Sequence, residues 1–205
     1  GDKLYQTHRA LSMAYLNNSN FNMARQTIEN AYQLNKQDAE TLQIKAQLEN
    51  YNYKEMGNDG TTSNRYIMEA LKINPELIIA RWSLAHSYLT IGKEQQALAE
   101  YKRILQVNPK HAPALHGIAL IYYNFKDYPM SEQYALRTVE SDPKTPQHHY
   151  ILALAYYKQS KWNQTIESCR NAIRENRQYE KALILVGQSY YSMGKYDNSI
   201  DALKK

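Results

Sequence analysis

The stretch IYYNFKDY, residues 121–128, has two adjacent tyrosines followed five positions later by another tyrosine. The pattern returns as AYYKQSKW at residues 155–162 and as SYYSMGKY at residues 189–196, with a step of 34 residues each time. Extending the step backwards from Tyr122 reaches Tyr88. A fixed period of this length is the signature of stacked structural repeats. The tyrosine pairs therefore predict a repeat protein.

Other positions keep the same step and show what each repeat contains. A large apolar residue is followed by a small one at 84–85, 118–119, 152–153 and 186–187, and proline ends three units at 75, 109 and 143. Within the unit that starts at Ile78, the residues Leu84, Tyr88 and Ile91 have helical i, i+4, i+7 spacing. Each unit is predicted to be two antiparallel helices of about 13 residues. So small a pair cannot bury its apolar side alone, and the units must stack.

This order of residues resembles the tetratricopeptide repeat (TPR) family over essentially the whole chain. The shared features are the large–small pair, the tyrosine, an aromatic residue after the turn, and the proline. The resemblance implies an all-α fold, a right-handed α-α superhelix, as a single domain spanning residues 1–205. The predicted repeats are 5–38, 39–77, 78–111, 112–145, 146–179 and a truncated 180–205.

The second repeat is five residues too long. Its segment YNYKEMGNDGTTSN at 51–64 contains two glycines, and Thr62 or Ser63 is predicted to cap the following helix. We expect residues 51–64 to form a mobile or partner-contacting loop, because the extra residues add no apolar face.

The two tyrosines of each pair are predicted to have different roles, because neighbours on a helix point about 100° apart. The first tyrosine continues the i, i+4 apolar stripe and is predicted to be core: Tyr15, Tyr88, Tyr122, Tyr156 and Tyr190. The second is turned towards the adjacent face of the same helix. In the TPR family that face lines the concave surface of the superhelix.

The resemblance therefore implies a partner-binding groove. The residues assigned to it are Arg9, Met13, Trp82, His86, Leu89, His116, Leu120, Tyr123, Tyr150, Leu154, Tyr157, Lys158, Ile184, Gln188 and Tyr191, with Lys181 as a further basic candidate. From the third repeat onward this set is rich in apolar and aromatic residues, which indicates a surface that is covered in use. The alternative is that these residues pack on neighbouring repeats. The basic candidates do not match the clamp with which some TPR proteins hold a terminal carboxylate.

No catalytic or metal-binding pattern accompanies the repeats. His86 and His116 are predicted to face the groove from adjacent repeats, but no Cys, Asp or Glu completes a ligand set. Cys169 falls at an apolar helix position and is predicted to be a buried small residue. GNDG at 57–60 lacks the lysine of a phosphate-binding loop. We therefore expect no enzyme, no cofactor and no metal.

Charge and composition narrow the choice of partners. The net charge of +5 is scattered along the chain, which favours a mixed solvated surface over a nucleic-acid face. We expect a scaffold that binds an apolar peptide or an amphipathic helix of a protein partner within a larger assembly. The alternatives are a carbohydrate-facing scaffold of an export or secretion system and an RNA-binding TPR protein. We interpret the chain as an excised fragment, so its lack of a signal peptide or membrane span leaves cytoplasm and periplasm both open, and its oligomeric state is not predicted.

Overall fold

The computed structural model describes residues 3–56 and 61–204. Within these ranges the chain forms twelve α-helices and no β-strand, so the predicted all-α class is confirmed. The helices are α1 (Leu4–Asn17), α2 (Phe21–Leu34), α3 (Ala39–Met56), α4 (Thr61–Ile73), α5 (Ile78–Thr90), α6 (Glu94–Val107), α7 (Ala112–Asn124), α8 (Tyr128–Ser141), α9 (Pro146–Lys158), α10 (Trp162–Glu175), α11 (Glu180–Ser192) and α12 (Tyr196–Leu203). None of the helices in the described ranges is long and apolar enough to cross a membrane.

The chain divides into two compact units, residues 1–100 and residues 101–205, with the division inside α6. In the first unit α1 packs on α2 and α3 on α4. In the second unit the packed pairs are α7 with α8, α9 with α10, and α11 with α12. Each predicted repeat starts within one residue of an odd-numbered helix. That the six repeats form a single domain stays a prediction.

Each unit has apolar clusters built from its own residues. In the first unit Ile28 packs with Ile44 and Leu48, and Leu42 packs with Ile67 and Leu84. In the second unit Ala119 packs with Ile151, while Cys169 packs with Leu185. Because the helices of a pair and of the next pair share each cluster, stacking supplies the buried area that one pair lacks.

In the five helix pairs whose turn lies within the described residues, the turn uses one residue with left-handed backbone conformation. The φ angles lie between 56° and 73°, at Ser19, Gly92, Lys126, Ser160 and Gly194. These residues lie at the same position of five repeats, between the first and second helices. Only glycine adopts this conformation without steric cost, so the serines and the lysine are held there by the packing of the two helices.

The turn between repeats uses a different device. An Asn or Asp side chain accepts a hydrogen bond from the backbone N–H two residues later, at distances of 3.0–3.2 Å. The acceptors are Asn35, Asn74, Asn108, Asp142 and Asn176. Such turns compete with continued helix and so end it. Proline follows this residue in three repeats, whereas the Asn or Asp is present in all five.

A buried serine ties the two helices together in four of the pairs. The hydroxyl of Ser131 donates to the carbonyl of Ala119 at 2.9 Å, and that of Ser199 donates to Gly187 at 2.8 Å. In the first unit Ser63 of α4 donates to Ala46 of α3, and Ser12 of α1 donates to Ala24 of α2, in the opposite direction. Each bond satisfies a hydroxyl that would otherwise be buried without a partner.

The loop predicted for residues 51–64 is wrong at both of its ends. Helix α3 continues to Met56 and α4 starts at Thr61, while residues 57–60 lie outside the described residues. The segment 50–56 contains neither glycine nor proline, so nothing in it stops the helix. Ser63 is not a cap: it lies inside α4, where its hydroxyl bonds to Ala46 at 2.9 Å.

Candidate functional site

The first helices of the last three repeats form a cleft in the second unit. Helix α9 contacts both α7 and α11, and the cleft between them has a volume of about 270 Å³. Its lining residues are Tyr123, Tyr150, Leu154, Tyr157, Lys158, Lys181, Ile184, Leu185 and Gln188. The structure thus brings together the predicted groove residues of three repeats, and adds Leu185.

A second cleft of about 230 Å³ adjoins the first. It is lined by Tyr157, Gly187, Gln188, Tyr191, Ser192, Ser199 and Leu203. Because Tyr157 and Gln188 line both clefts, the two form one continuous surface of the second unit, which we call the α7–α9–α11 cleft.

The second tyrosine of each pair is held by the aromatic residue that follows the turn. Tyr123 meets Tyr128 with ring centroids 5.7 Å apart, Tyr157 meets Trp162 at 5.1 Å, and Tyr191 meets Tyr196 at 5.4 Å. All three contacts are edge-to-face, with interplanar angles of 60–67°, the geometry that aromatic rings prefer. The spacing of five residues within each repeat is the signal in the sequence that matches these contacts.

The first tyrosines pack against the core without being enclosed by it. The predicted core residues Tyr15, Tyr88, Tyr122, Tyr156 and Tyr190 are all half-buried. The ring of Tyr122 stacks on Tyr134 at 5.6 Å, and the hydroxyl of Tyr190 accepts a hydrogen bond from Arg170 at 3.2 Å. Their rings cover apolar surface while the polar tips stay near solvent, which is the usual behaviour of tyrosine. Tyr101, by contrast, is buried, with 3% of its surface exposed.

The polar groups that line the cleft are neutral or basic. The ring of Tyr150 meets Tyr179 edge-on at 5.5 Å, and burial, followed by Tyr179, raises the pKa of Tyr150 above its ordinary value of 10.0. Its hydroxyl is therefore protonated at neutral pH. Lys158 lies at the end of α9 and Lys181 at the start of α11. None of the nine residues that line the first cleft is acidic.

The groove residues predicted in the first unit have a different setting. Arg9 donates to both carboxylate oxygens of Asp38, at 2.9 and 2.8 Å, and also pairs with Glu40 at 2.9 Å. Its charge is therefore engaged by two carboxylates, one at the end of the first repeat and one at the start of the second. Trp82 and His86 stack with their rings almost parallel and 5.5 Å apart. Both are exposed, as is Met13, whereas Leu89 is half-buried.

His116 and Leu120 do not line either part of the cleft. The ring of His116 lies 5.3 Å from that of His148, and its Nδ1 atom is buried without a hydrogen-bond partner in the described residues. Burial, with a smaller effect of His148, lowers the pKa of His116 to about 4. His116 therefore packs against His148 of the next repeat, and its place in a groove stays a prediction. Leu120 remains exposed.

The remaining candidates for chemistry are clusters of metal-binding side chains and the thiol of Cys169. In the described part of the chain, no three His, Cys, Asp or Glu side chains lie close enough to hold a metal ion. Cys169 is fully buried, and burial raises the pKa of its thiol to about 12. The thiol is therefore protonated at neutral pH, and a protonated thiol is a poor nucleophile.

Two family models match the chain. The model described as "Tetratricopeptide repeat" matches residues 83–146, and the model described as "Anaphase-promoting complex, cyclosome, subunit 3" matches residues 126–205. No curated protein sequence matches the chain significantly.

Solved structures share the fold over most of the chain at low sequence identity. PilF of Pseudomonas aeruginosa is 13% identical, with 98% of this chain and 89% of that chain covered and a TM-score of 0.83. A tetratricopeptide repeat protein from Parabacteroides merdae is 18% identical, with 98% and 78% covered and a TM-score of 0.73. YrrB, a TPR protein with an unusual peptide-binding site, is 13% identical, with 86% and 89% covered and a TM-score of 0.71.

The repeat pattern, the paired helices, the fold and the family models all agree. The two models together span residues 83–205, and the fold likeness extends over nearly the whole chain. The chain belongs to the tetratricopeptide repeat family.

Proposed function

We propose that this chain is a protein–protein interaction scaffold that binds a peptide segment or amphipathic helix of its partner in the α7–α9–α11 cleft. TPR proteins are interaction scaffolds, and YrrB in particular is described as having a peptide-binding site.

The observation that carries the proposal is the composition of the cleft. Helix positions that face water are normally charged, yet Ile184 is 49% exposed and Tyr191 is 66% exposed. Tyr150, Leu154 and Tyr157 continue the apolar surface across α9. A row of exposed apolar and aromatic side chains indicates a surface that a partner covers. Tyrosine is also among the residues that most often anchor interfaces.

The shape of the cleft suits the side chains of a peptide. Sites for small molecules bury most of their ligand's surface, whereas this cleft is open to solvent and continues from a part of about 270 Å³ into one of about 230 Å³. A few side chains of a peptide fill such a space. The TPR family is generally non-enzymatic, and we propose that this chain likewise acts by binding alone.

The partner is proposed to be held within a larger assembly. One of the two matching family models is named for a subunit of a multi-protein complex, the anaphase-promoting complex. Repeats that present a surface along successive helices suit this task, because one chain offers several adjacent contact positions.

The test is selection of peptides from a phage-displayed random dodecapeptide library on the immobilised chain. Ile184→Ser removes an apolar contact from the cleft, and Ile200→Ser is the matched control. Ile200 is 50% exposed, belongs to the same unit and lies outside both parts of the cleft. We expect Ile184→Ser to weaken the selected peptides at least about fivefold, or about 1 kcal/mol. Equal binding by both variants contradicts the proposal.

Salt dependence separates the alternative ligands. Binding through an apolar peptide surface changes little with salt, whereas binding of RNA falls steeply as counterions compete. An oligouridylate and a neutral oligosaccharide are therefore measured alongside the peptides. Tight, salt-sensitive binding of the oligouridylate would show that the cleft binds RNA and not a peptide. Binding of the oligosaccharide to the unmodified chain, if Ile184→Ser abolishes it, would show that the ligand is a carbohydrate.

A further inference from the structure

Two lysines lie in the α7–α9–α11 cleft, and this position is what distinguishes them from the other lysines. Lys158 and Lys181 are exposed and, like most lysines of the described ranges, form no ion pair there. They lie on different helices, α9 and α11, and line the same cleft.

No residue that lines the cleft carries a negative charge that could pair with these two ammonium groups. The other lining residues are tyrosines, aliphatic residues and Gln188. A cation beside apolar surface interacts more strongly with an anion than it does in bulk water, because the effective dielectric constant is lower there. A carboxylate that enters the cleft therefore meets two cations with no carboxylate of the lining to compete.

The apolar part of the cleft lies between the same two helices. Leu154 comes from α9, and Ile184 and Leu185 come from α11. A ligand that satisfies both features has an apolar side chain close to an acidic one. Gln188 lies where the two parts of the cleft join, and its amide offers both donors and an acceptor to a peptide main chain.

We infer that the cleft recognises an internal peptide segment in which an apolar residue is flanked by aspartate or glutamate. This inference rests on the proposed function and names its ligand class. The segment is internal because the surface continues past Tyr157 and Gln188 into the second part of the cleft, which leaves room for the peptide chain to run on. Two lysines from two helices then contact side-chain carboxylates on either side of the apolar residue.

The experiment repeats the peptide selection with charge-reversed chains. Lys158→Glu with Lys181→Glu reverses both cleft charges, and Lys102→Glu with Lys144→Glu is the matched control with the same change in net charge. The control lysines belong to the same unit, are exposed and do not line the cleft. We expect the unmodified chain and the control to select apolar residues flanked by acids, and the cleft variant to select basic flanks instead.

A second measurement uses the best selected peptide and its counterpart with every acidic residue replaced by the amide. The acidic peptide is expected to bind the unmodified chain at least about fivefold more tightly than the amide peptide. In the cleft variant this preference disappears. Selected peptides without acidic flanks, or an acidic preference that the cleft variant retains, overturn the inference.

The outcomes distinguish this inference from the proposed function. Selection that depends on Ile184 but not on the two lysines leaves the proposed function standing and removes the acidic ligand class. Selection that depends on neither, or no selection at all, contradicts both. Oligouridylate binding that the cleft variant loses and the control keeps assigns the lysines to a nucleic acid and overturns the inference.

Discussion

Lys45 occupies the position at which five other repeats carry an aliphatic residue, namely Leu11, Leu84, Ile118, Leu152 and Val186. It is almost buried. Its ammonium group lies 4.0 Å from the centroid of the Tyr32 ring and 2.6 Å from the carboxylate of Glu29. The hydrogen bond from Lys45 lowers the pKa of Glu29 against the opposing effect of burial. The charge is thus accommodated by an aromatic face and one carboxylate.

Lys45→Leu is expected to leave the stability of the chain unchanged or to raise it. Taking a charge out of water costs free energy that a single partner often does not repay, and replacement by an apolar residue of similar size is frequently neutral or stabilising. We expect the melting temperature to stay the same or to rise by about 2–4 °C, the shift that corresponds to about 1 kcal/mol in a chain of this length. A loss of more than about 1 kcal/mol would show that the contacts of Lys45 contribute net stability.

His116 is expected to make the second unit less stable in mild acid. Its pKa is lowered from 6.5 to about 4 in the folded chain, so the unfolded chain takes up a proton first. The contribution of His116 is fully present above pH 6.5 and is lost as the pH falls towards 4. Between pH 7 and pH 5 the free energy of unfolding should fall by about 2 kcal/mol. Urea titrations at both pH values measure it.

The control for this pH effect is His116→Gln, which cannot be protonated in this range. The variant should lose most of the difference between pH 7 and pH 5. Asp38 does not interfere, because its pKa is below the ordinary 3.8: burial opposes the shift, but hydrogen bonds from Thr41 and Arg9 outweigh it. The stability that Asp38 adds is present above pH 3.8 and is lost only below that value. A residual difference is expected from His111, whose pKa burial also lowers. An undiminished pH difference in His116→Gln would contradict the assignment.

The residue pattern predicted which side chains share a face, but not what each of them contacts. The resemblance to the TPR family places Tyr123, Tyr157 and Ile184 on one surface, and the structure brings them to the same cleft. The same resemblance also places His116 and Arg9 there. Neither the periodicity nor the resemblance shows that His148 of the next repeat packs against His116, or that Asp38 pairs with Arg9, because these partners are far along the chain from one another.

At the scale of the helix, two glycines lie where a neighbouring helix packs closely against the backbone. A Cβ atom added to Gly117 in α7 would lie 2.6 Å from ring atoms of Tyr101 in α6. A Cβ added to Gly187 in α11 would lie 2.6 Å from Leu203 in α12. The neighbours differ: Tyr101 is 3% exposed, whereas Leu203 is 56% exposed. A buried ring cannot move aside, but an exposed leucine can change rotamer.

The two glycine-to-alanine variants are therefore expected to have opposite effects. Alanine in place of glycine inside a helix stabilises by about 1 kcal/mol when space allows. Gly187→Ala should be neutral or stabilising by up to that amount. Gly117→Ala should destabilise by about 1 kcal/mol or more, because overpacking of a core costs about 1–3 kcal/mol. Urea unfolding followed by far-UV circular dichroism provides both values.

Tyr101→Leu combined with Gly117→Ala serves as the control. If the ring is the obstacle, the two substitutions together should cost less than the sum of their separate effects. Additive effects, or a stabilising Gly117→Ala, would contradict the predicted contact between α6 and α7.

The helices could be predicted from the sequence more fully than the connections between them. Apolar spacing and the prolines indicated the helix pairs, since a repeated pattern reports the same element several times. The Asn or Asp that ends each repeat recurs more regularly than the proline and indicates the same turn. The prediction for the second repeat is wrong because it assigns residues 51–64 to a loop, although the first six of them continue α3 up to Met56. Insertion length alone does not indicate where the helix stops.

At the scale of the molecule, the second unit holds a complete candidate binding surface. Its clusters around Ile151 and Cys169 draw only on residues of that unit, and the cleft lies within it. In repeat proteins each repeat contacts only its neighbours, so part of an array folds without the rest. The all-α TPR fold followed from the sequence because it depends on the repeat, whereas the division at Glu100 and Tyr101 has no counterpart in the sequence pattern.

A chain of residues 94–205, which keeps α6 whole, is expected to fold and to bind the selected peptides within about twofold of the full chain. Circular dichroism should show a helical spectrum and a cooperative thermal transition. Peptide affinity is then compared by fluorescence anisotropy. A chain that folds but binds at least about tenfold more weakly would place part of the binding surface in residues 1–93.

The contact between Tyr157 and Trp162 has a practical consequence for spectroscopy. The chain has only two tryptophans: Trp82, stacked on His86 in the first unit, and Trp162, 5.1 Å from a tyrosine of the cleft. Each indole therefore emits from a different unit. In Trp82→Phe, all tryptophan fluorescence comes from beside the cleft, so a ligand that shifts the Tyr157 ring changes the emission directly. Binding can then be titrated without attaching a dye to either partner.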